Sequence, residues 1–225
     1  MSSDRPWLTF DCYDTLVAYS EAKTVALAAL VRAKDGDDRA IDLAQDAFET
    51  EERRLQTGAE FVILNQVLRR SLAAALAATG LLAIPEDEHT MIEAVRASEP
   101  FPDVASALRD LKTDHRLAIL SNSEPDIIIH SIARIGVAMD AVVLASEAQC
   151  YKPATGMFKE LLNRIDARAA DVTHIAQGFY HDIRPTKDLG FGRRIWINRY
   201  ARDGDAGYAP DAELMDLAGL REALA

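Results

Sequence analysis

This chain is short of cysteine, of basic residues and of long apolar runs, and each shortage narrows what the protein can be. Cys12 and Cys150 are the only two cysteines in 225 residues, too few for a disulfide framework, so we expect a reducing, cytoplasmic setting. Lysine and arginine number 25 against 36 acidic residues. The net charge of −11 argues against nucleic acid or an anionic membrane as a partner, and an anionic substrate would need a local cationic pocket.

No apolar run in the sequence approaches the roughly 18 residues that a membrane-spanning helix needs. Residues 1–6 contain no basic region followed by an apolar one, so we expect no signal peptide. With 49% hydrophobic and 27% charged residues, the chain has the composition of a globular protein. Its length fits one large domain or two modest ones.

A helical region follows the first few residues. Between Tyr19 and Pro85 there is no proline, and alanine and leucine dominate. Apolar residues spaced three and four apart predict helices over residues 40–55 and 61–79. Pro85, followed by three acidic residues, is typical of the start of another helix. We therefore predict an α-helical cap domain over residues 18–98.

Short apolar runs alternate with helical stretches after Pro102. The runs lie at residues 117–120, 141–144, 172–176 and 194–197, and the helical stretches at 126–135, 155–165 and 182–189. This alternation predicts βαβ units, and residues 211–224 read as a final amphipathic helix. Together with a strand around Leu8, the pattern predicts an α/β protein with a doubly wound parallel sheet. Its core would comprise residues 1–17 and 99–225, with the cap inserted after the first strand.

Asp11 follows the first apolar run, and Thr15 comes four positions later. A carboxylate there lies at the carboxyl edge of the sheet, where ligands bind in open α/β folds. Such a carboxylate can attack carbon or phosphorus and form a covalent intermediate. The alternative is an aspartate that only caps a turn.

Three later segments place further polar residues near the same edge of the predicted sheet. Ser121 and Asn122 end the second run and could donate hydrogen bonds to an anion, although a plain helix cap is the alternative. Lys152 precedes Pro153, which places it in an extended segment or turn, where a solvated loop lysine is the alternative. Gln177 and Asp182 follow the fourth run.

The order and spacing of these segments, from Trp7 to the last strand, resemble the haloacid dehalogenase superfamily. The resemblance implies a Rossmann-like core, with Asp11 as nucleophile and Lys152 beside it. Most members are phosphatases that carry aspartates at the positions of Tyr13 and Gln177 here. An amide is a poor substitute for a carboxylate toward Mg²⁺, so we expect no metal and no other cofactor.

Within the superfamily, the chain is most similar to the 2-haloacid dehalogenase (type II) branch. That branch has a tyrosine at the position of Tyr13 and a sequence similar to Tyr151-Lys152-Pro153. Residues 180–182 and 196–199 also resemble dehalogenase-related proteins. Two positions depart from the pattern: Asp14 stands where the branch usually has glycine, and Gly178 where a serine is common.

The missing acid favours halide as the leaving group. A phosphatase expels an alkoxide, and protonating it is worth roughly 10²–10⁴ in rate, a task for which a phenol with a pKa of about 10 is poorly suited. Halide leaves without a proton. We therefore predict a hydrolase that converts a short 2-haloacid into a 2-hydroxy acid through an aspartyl ester on Asp11.

The resemblance assigns roles to the remaining residues. Lys152 would keep Asp11 ionised and Thr15 would hydrogen-bond its carboxylate, while Asp182 would either activate water or position Lys152. The substrate would contact a set of polar and aromatic side chains: Tyr13, Ser121, Asn122, Gln177 and Phe179. In the branch, an arginine from the first loop of the cap binds the halide, which implies Arg39 first and Arg32 second. Four histidines receive no role because they lack ligand-like spacing: His89, His115, His130 and His174.

Two alternatives stay open at this point. The first is a phosphatase of the same superfamily that acts on a small phosphorylated metabolite, with Asp14 as the acid. The second is a non-catalytic relative that binds a metabolite. The alanine-rich cap helices are compatible with a homodimer and equally with an intramolecular cap.

Overall fold

A parallel sheet of six strands forms the centre of the protein in the computed structural model, which describes residues 5–225. Residues 1–4, on which part of the signal-peptide expectation rests, lie outside the described residues. The strands are β1 (Trp7–Phe10), β2 (Arg116–Ser121), β3 (Ala141–Leu144), β4 (Val172–Ala176), β5 (Arg193–Ile197) and β6 (Ala212–Leu214). Their order in the sheet is β3-β2-β1-β4-β5-β6, and all neighbouring strands run parallel. The predicted α/β fold with a doubly wound parallel sheet is confirmed.

The sheet register brings three strand ends into one row. All four residues of β1 are buried, as expected of a parallel strand that is covered on both faces. Phe10 pairs with Ile119 on β2 and with Ile175 on β4. Asp11, the next residue, donates its backbone N–H to the carbonyl of Ile175 at 3.1 Å. The carboxyl ends of β1, β2 and β4 therefore present their following residues to the same space.

Four helices follow β1 before the chain returns to the sheet. They are α1 (Tyr19–Arg32), α2 (Asp38–Gln56), α3 (Leu64–Ala78) and α4 (Pro85–Arg96). Helix α1 packs against α2 and α4, and α3 packs against both of those helices. All four lie within the predicted helical region, and the division into domains at residues 17/18 and 98/99 stays a prediction.

The segment that leads from β1 into α1 runs beside the segment that leads from α4 back to the sheet. Ala18 donates its N–H to the carbonyl of Glu99 at 2.9 Å, and Phe101 donates to the carbonyl of Leu16 at 3.1 Å. The segments that leave and re-enter the sheet are thus joined by backbone hydrogen bonds.

Six further helices connect and flank the strands: α5 (Val104–Leu111), α6 (Pro125–Ile135), α7 (Ala145–Ala148), α8 (Thr155–Ile165), α9 (Arg184–Asp188) and α10 (Leu220–Leu224). A π-helical turn, Phe179–Ile183, precedes α9. Over residues 5–225, no helix combines the length and the apolar character needed to cross a membrane.

The predicted final helix over residues 211–224 is wrong. Residues Ala212–Leu214 form the edge strand β6, because Asp211 exchanges hydrogen bonds with Arg194 and draws the segment alongside β5. Only Leu220–Leu224 is helical, and it begins after Gly219. Apolar residues at helix-like spacing also fit a short strand followed by turns, which is the arrangement found here.

Candidate active site

Asp11 lies at the end of β1 with its side chain almost fully buried and both carboxylate oxygens engaged. Thr15 donates its hydroxyl to Oδ2 at 2.6 Å, and Lys152 donates from Nζ to Oδ1 at 2.7 Å. Thr15 is held in turn, because its Oγ1 accepts the backbone N–H of Gln177 at 2.8 Å. The structure therefore brings Asp11, Thr15 and Lys152 together, as the resemblance implied.

The Lys152 ammonium is buried among three acceptors. Besides Asp11, Nζ donates to Asp182 Oδ1 at 2.7 Å and to the carbonyl of Leu120 at 3.0 Å. The Lys152 backbone is fixed by Asn122, whose Oδ1 accepts the Lys152 N–H at 2.7 Å and whose Nδ2 donates to the Lys152 carbonyl at 3.3 Å. The predicted substrate ligand Asn122 thus also positions the lysine.

The two carboxylates that share Lys152 have pKa values shifted in opposite directions. Burial raises the pKa of Asp11 above its usual value, and Lys152 offsets this effect only in part. At Asp182 the same burial is outweighed by Lys152 and by a hydrogen bond from His174, so its pKa is lowered. Burial opposes the charge on Lys152, but the two carboxylates dominate and raise the pKa of its ammonium. On acidification, Asp11 is therefore the first of the two to take up a proton.

His174 is part of this cluster, although the sequence reading gave it no role. Its Nε2 lies 2.9 Å from Asp182 Oδ1, and its Nδ1 lies 2.8 Å from the hydroxyl of Thr9. The available signal is a histidine inside a run that predicts a core strand, Val172–Ala176, because a buried polar side chain requires partners.

Gly178 makes room for the Asp182 carboxylate. A Cβ atom added to Gly178 would lie 2.5 Å from Asp182 Oδ2, closer than any side chain could tolerate. Among the hydrogen bonds within residues 5–225, those to the Asp182 carboxylate fall on Oδ1. The second oxygen, Oδ2, thus lies on the Gly178 side without such a partner.

Asp14 serves the first cap helix. Its backbone has a φ of 61°, in the left-handed region that aspartate tolerates better than most residues. Its carboxylate accepts the backbone N–H of Ser20 at 2.9 Å and also the Ser20 hydroxyl, near the start of α1. This arrangement disfavours the phosphatase alternative, in which Asp14 would have to donate a proton to a leaving group.

Tyr13 presents a phenol that stays protonated. Its hydroxyl lies 2.7 Å from the hydroxyl of Ser123, and its ring stacks on Tyr19 with centroids 4.2 Å apart. Burial raises the pKa of Tyr13 well above its usual value. The group that stands where phosphatases carry an acid is therefore a neutral hydrogen-bonding side chain.

A cavity of about 200 Å³ opens onto Asp11 between the sheet edge and the cap helices. Six of the predicted site residues line it: Asp11, Tyr13, Asn122, Lys152, Gln177 and Asp182. The cap contributes Tyr19, Ser20, Lys23, Glu52, Gln56 and Leu64. A wider cavity of about 880 Å³ adjoins it and shares Ser20, Lys23, Glu52, Gln56, Lys152 and His181 with it.

Two other predicted substrate ligands lie close to this cavity without lining it. Ser121, at the end of β2, is fully buried, and its hydroxyl has no hydrogen-bond partner within residues 5–225. Phe179 packs edge-on against Trp196, with ring centroids 4.8 Å apart. Phe179 is therefore a packing residue in this arrangement, whereas Ser121 retains a free donor.

The structure does not bring the two cap arginines to the cavity. Arg39 is exposed in the first turn of α2, and Glu52, which lines the cavity, lies thirteen residues further along. At about 1.5 Å per residue the separation is roughly 20 Å. Arg32 ends α1 and pairs with Asp38 at 2.9 Å on the surface. Both assignments placed the arginines by their order in the sequence, which does not show which end of each helix faces the site.

The cap cation on the cavity is Lys23, which the sequence reading missed. Its ammonium pairs with Glu52 at 2.6 Å, and both side chains are largely buried. The ammonium also lies 5.3 Å from the ring centroid of Tyr19. A single lysine in a helix gives no signal that separates it from other surface charges.

The donors present do not fit a magnesium site of the phosphatase type. The ammonium of Lys152 already sits between Asp11 and Asp182, and Gln177 offers an amide where a carboxylate would be needed. Within residues 5–225, no group of three or more His, Cys, Asp or Glu side chains is arranged to hold a metal ion.

Comparison with known proteins gives consistent matches. A protein-family model described as haloacid dehalogenase-like hydrolase matches residues 7–190. The (S)-2-haloacid dehalogenase 1 of Pseudomonas sp. (strain CBS-3) is 25% identical over 163 residues, which is 71% of each chain.

Two solved structures share the fold over almost the whole chain. The L-2-haloacid dehalogenase from Xanthobacter autotrophicus, with chloropropionic acid covalently bound, superposes with a TM-score of 0.81 at 20% identity and covers 98% of each chain. The HAD-hydrolase YfnB from Bacillus subtilis, bound to magnesium, gives a TM-score of 0.83 at 17% identity, again over 98% of each chain.

Proposed function

This chain belongs to the haloacid dehalogenase-like hydrolases, and from that premise we propose that it releases halide from a short 2-haloacid to give a 2-hydroxy acid. The observation that carries the proposal is the buried Asp11 carboxylate, held by Thr15 and Lys152 beside a protonated phenol. The curated relative named as an (S)-2-haloacid dehalogenase supports the same substrate class.

In the first half of the reaction, Asp11 is the nucleophile. One carboxylate oxygen attacks C2 of the substrate from the side opposite the halogen. A carbon–oxygen bond forms, the carbon–halogen bond breaks, and halide leaves with the bonding electron pair. Because halide needs no proton, the neutral Tyr13 in place of an acid does not slow this step.

The substrate carboxylate requires donors at the end of β2. Ser121 supplies a buried hydroxyl without a partner, and Asn122 lines the cavity next to it. A buried donor that a ligand can satisfy favours binding, since leaving it unpaired costs about 1–3 kcal/mol. We assign the carboxylate of the small anionic substrate to this position.

In the second half, water hydrolyses the ester. The water oxygen bonds to the Asp11 carbonyl carbon, and the bond from that carbon to the substrate oxygen breaks. The 2-hydroxy acid takes up one of the two water protons, and the other passes to solvent. The Asp11 carboxylate is thereby restored. Asp182 is the carboxylate available to take the proton from water.

A panel of 2-haloacids tests this proposal. We expect halide release in the presence of EDTA, and a loss of at least about 10³-fold in Asp11→Asn. Asp46→Asn, an exposed position in α2, is the matched control and should behave like the unmodified protein. Phosphate release from p-nitrophenyl phosphate with magnesium, and no halide release, would favour the phosphatase instead.

Isotope tracing tests the ester itself. With enzyme in excess in ¹⁸O water, a single turnover should place the label in Asp11 and leave the 2-hydroxy acid unlabelled, as mass spectrometry of both would show. Labelled product with an unlabelled Asp11 would mean that water attacks the substrate directly.

A further inference from the structure

A buried row of side chains lies behind the catalytic lysine and runs from β1 to Asp182. Thr9 on β1 and His174 on β4 are register partners in neighbouring strands. His174 contacts the Thr9 hydroxyl through Nδ1 at 2.8 Å and Asp182 Oδ1 through Nε2 at 2.9 Å. Because a carboxylate only accepts hydrogen bonds, Nε2 carries the hydrogen. The row ends at a carboxylate that lines the active-site cavity.

The His174 ring is fixed on its faces as well as at its nitrogens. The rings of Phe158 and Phe191 pack edge-on against it, each with a centroid separation of 6.0 Å. The His174 side chain is fully buried. A ring held by two hydrogen bonds and two aromatic neighbours presents its Nε2–H in one direction.

That direction determines which oxygen of Asp182 remains free. Both His174 and Lys152 donate to Oδ1, whereas Oδ2 lies beside Gly178, which lines the cavity. A carboxylate held only by Lys152 could rotate and exchange its two oxygens. The second donor on the same oxygen prevents this rotation.

We propose that His174 is a positioning residue that holds Asp182 Oδ1, so that Oδ2 faces the cavity and accepts the proton of the water that hydrolyses the Asp11 ester. This inference rests on the proposed function. The water oxygen attacks the ester carbon as one water proton moves to Oδ2. The bond from that carbon to the substrate oxygen breaks, and the departing oxygen takes this proton from Oδ2. The second water proton leaves the restored Asp11 carboxyl group for solvent.

The two halves of the reaction should therefore respond differently to the loss of His174. Ester formation uses Asp11, Thr15 and Lys152, none of which His174 touches. Ester hydrolysis uses Asp182. Since kcat/KM reports the steps up to halide departure and kcat includes hydrolysis, kcat and KM should fall together while kcat/KM stays nearly constant.

Two amide substitutions separate the contacts of the ring. In His174→Gln the side-chain amide reaches the position of Nε2 and can still donate to Asp182. In His174→Asn the shorter amide takes the position of Nδ1 and can reach only Thr9. His174→Phe keeps the aromatic packing against Phe158 and Phe191 and removes both hydrogen bonds.

The experiment measures halide release and the mass of the intact protein during turnover of 2-chloropropionate. We expect kcat to fall roughly 10- to 100-fold in His174→Asn and His174→Phe, with the ester accumulating, and to recover largely in His174→Gln. If His174→Phe fails to fold, the Asn and Gln pair carries the same comparison.

Two results would count against the inference, and they differ in what else they affect. Equal kinetics for the Asn and Gln variants, or a lower kcat/KM without ester, would end the inference alone. An unmodified protein that releases no halide from any 2-haloacid would end the proposed function and the inference with it.

Discussion

At the scale of single residues, the site depends on how one buried ammonium is divided between two carboxylates. Lys152 donates to both Asp11 and Asp182, and each carboxylate has a second donor, the Thr15 hydroxyl at Asp11 and the His174 ring at Asp182. Burial raises the pKa of Asp11 in spite of its two donors, whereas Lys152 and His174 outweigh burial at Asp182 and lower its pKa. Asp182 therefore stays ionised to a lower pH than an ordinary aspartate, whereas Asp11 takes up a proton at a higher pH than an ordinary aspartate.

This difference predicts the acid limb of the pH profile. Asp11 must be ionised to attack carbon, so kcat/KM should fall as the pH drops through its raised pKa. We expect the midpoint of this limb above 3.8, the ordinary value for an aspartate. Initial rates with a 2-haloacid from pH 3.5 to 8 give the profile. A midpoint at or below 3.8 would show that Lys152 outweighs burial.

Gly178 provides a second prediction at this scale. Gly178→Ala would place a methyl group 2.5 Å from Asp182 Oδ2, so the carboxylate must move. We expect kcat to fall roughly tenfold or more, since small displacements of catalytic groups are costly. In the control Gly219→Ala, the nearest heavy atom in the new contact lies 3.7 Å away, and kcat should not change. Unchanged turnover in Gly178→Ala would contradict the proposed use of Oδ2.

At the scale of secondary-structure elements, helix α3 obtains its N-terminal cap from the sheet half of the protein. Its own N-cap residue, Ile63, offers no side-chain acceptor. Glu124, in the loop after β2, accepts the backbone N–H of Asn65 at 2.9 Å. The Tyr151 hydroxyl donates to the carbonyl of Val62 at 2.6 Å. These bonds tie the start of α3 to the loops that build the active site.

Removal of this cap should loosen α3. Glu124→Ala leaves an N–H of the first turn without its acceptor, and such losses typically cost about 1 kcal/mol. We expect that loss of stability in urea denaturation, with faster hydrogen exchange at residues 64–67. Asp46→Ala, which removes an exposed carboxylate from the middle of α2, should change neither. Equal exchange in both variants would show that other contacts hold the helix.

The elements that the sequence predicted well are those whose pattern reflects burial. The apolar runs became strands β1 to β5, and the spacing over 40–55 gave α2 with an error of two residues at its start. Residues 211–224 were read wrongly because a single strong hydrogen-bonding partner, Arg194, outweighed weak periodicity. Side-chain placement was harder to predict. Helix direction places Lys23 at the cavity and Arg39 far from it, and strand register places His174 behind Asp182. These features become visible only in three dimensions.

At the scale of the whole molecule, charge is unfavourable for an anionic substrate. The net charge is −11, and the small cavity is lined by four carboxylates and two ammonium groups: Asp11, Asp14, Glu52 and Asp182 against Lys23 and Lys152. The two ammonium groups are paired with Glu52, Asp11 and Asp182. The local cationic pocket expected from the sequence is thus already compensated.

The homodimer stays a prediction, which light scattering in solution would test.

This charge distribution predicts an unusual salt effect. For an anionic 2-haloacid, kcat/KM should rise roughly twofold to fivefold as ionic strength increases from 10 to 200 mM, because salt screens the repulsion. Sodium sulfate is the suitable salt, since chloride is a product of the reaction. The neutral 2-chloropropionamide is the control and should show no such rise. A fall in kcat/KM with added salt would mean that local attraction dominates.

The wide cavity of about 880 Å³ that adjoins the chamber at Asp11 has a consequence for selectivity. A long alkyl tail can extend outward while the reacting carbon stays in the inner chamber of about 200 Å³. The enzyme should therefore tolerate 2-chlorohexanoate almost as well as 2-chloropropionate, yet reject acids with a second alkyl branch on the halogenated carbon. Competition between such acids should show that the site discriminates among substrates by the substituents on the halogenated carbon and not by the length of the alkyl tail.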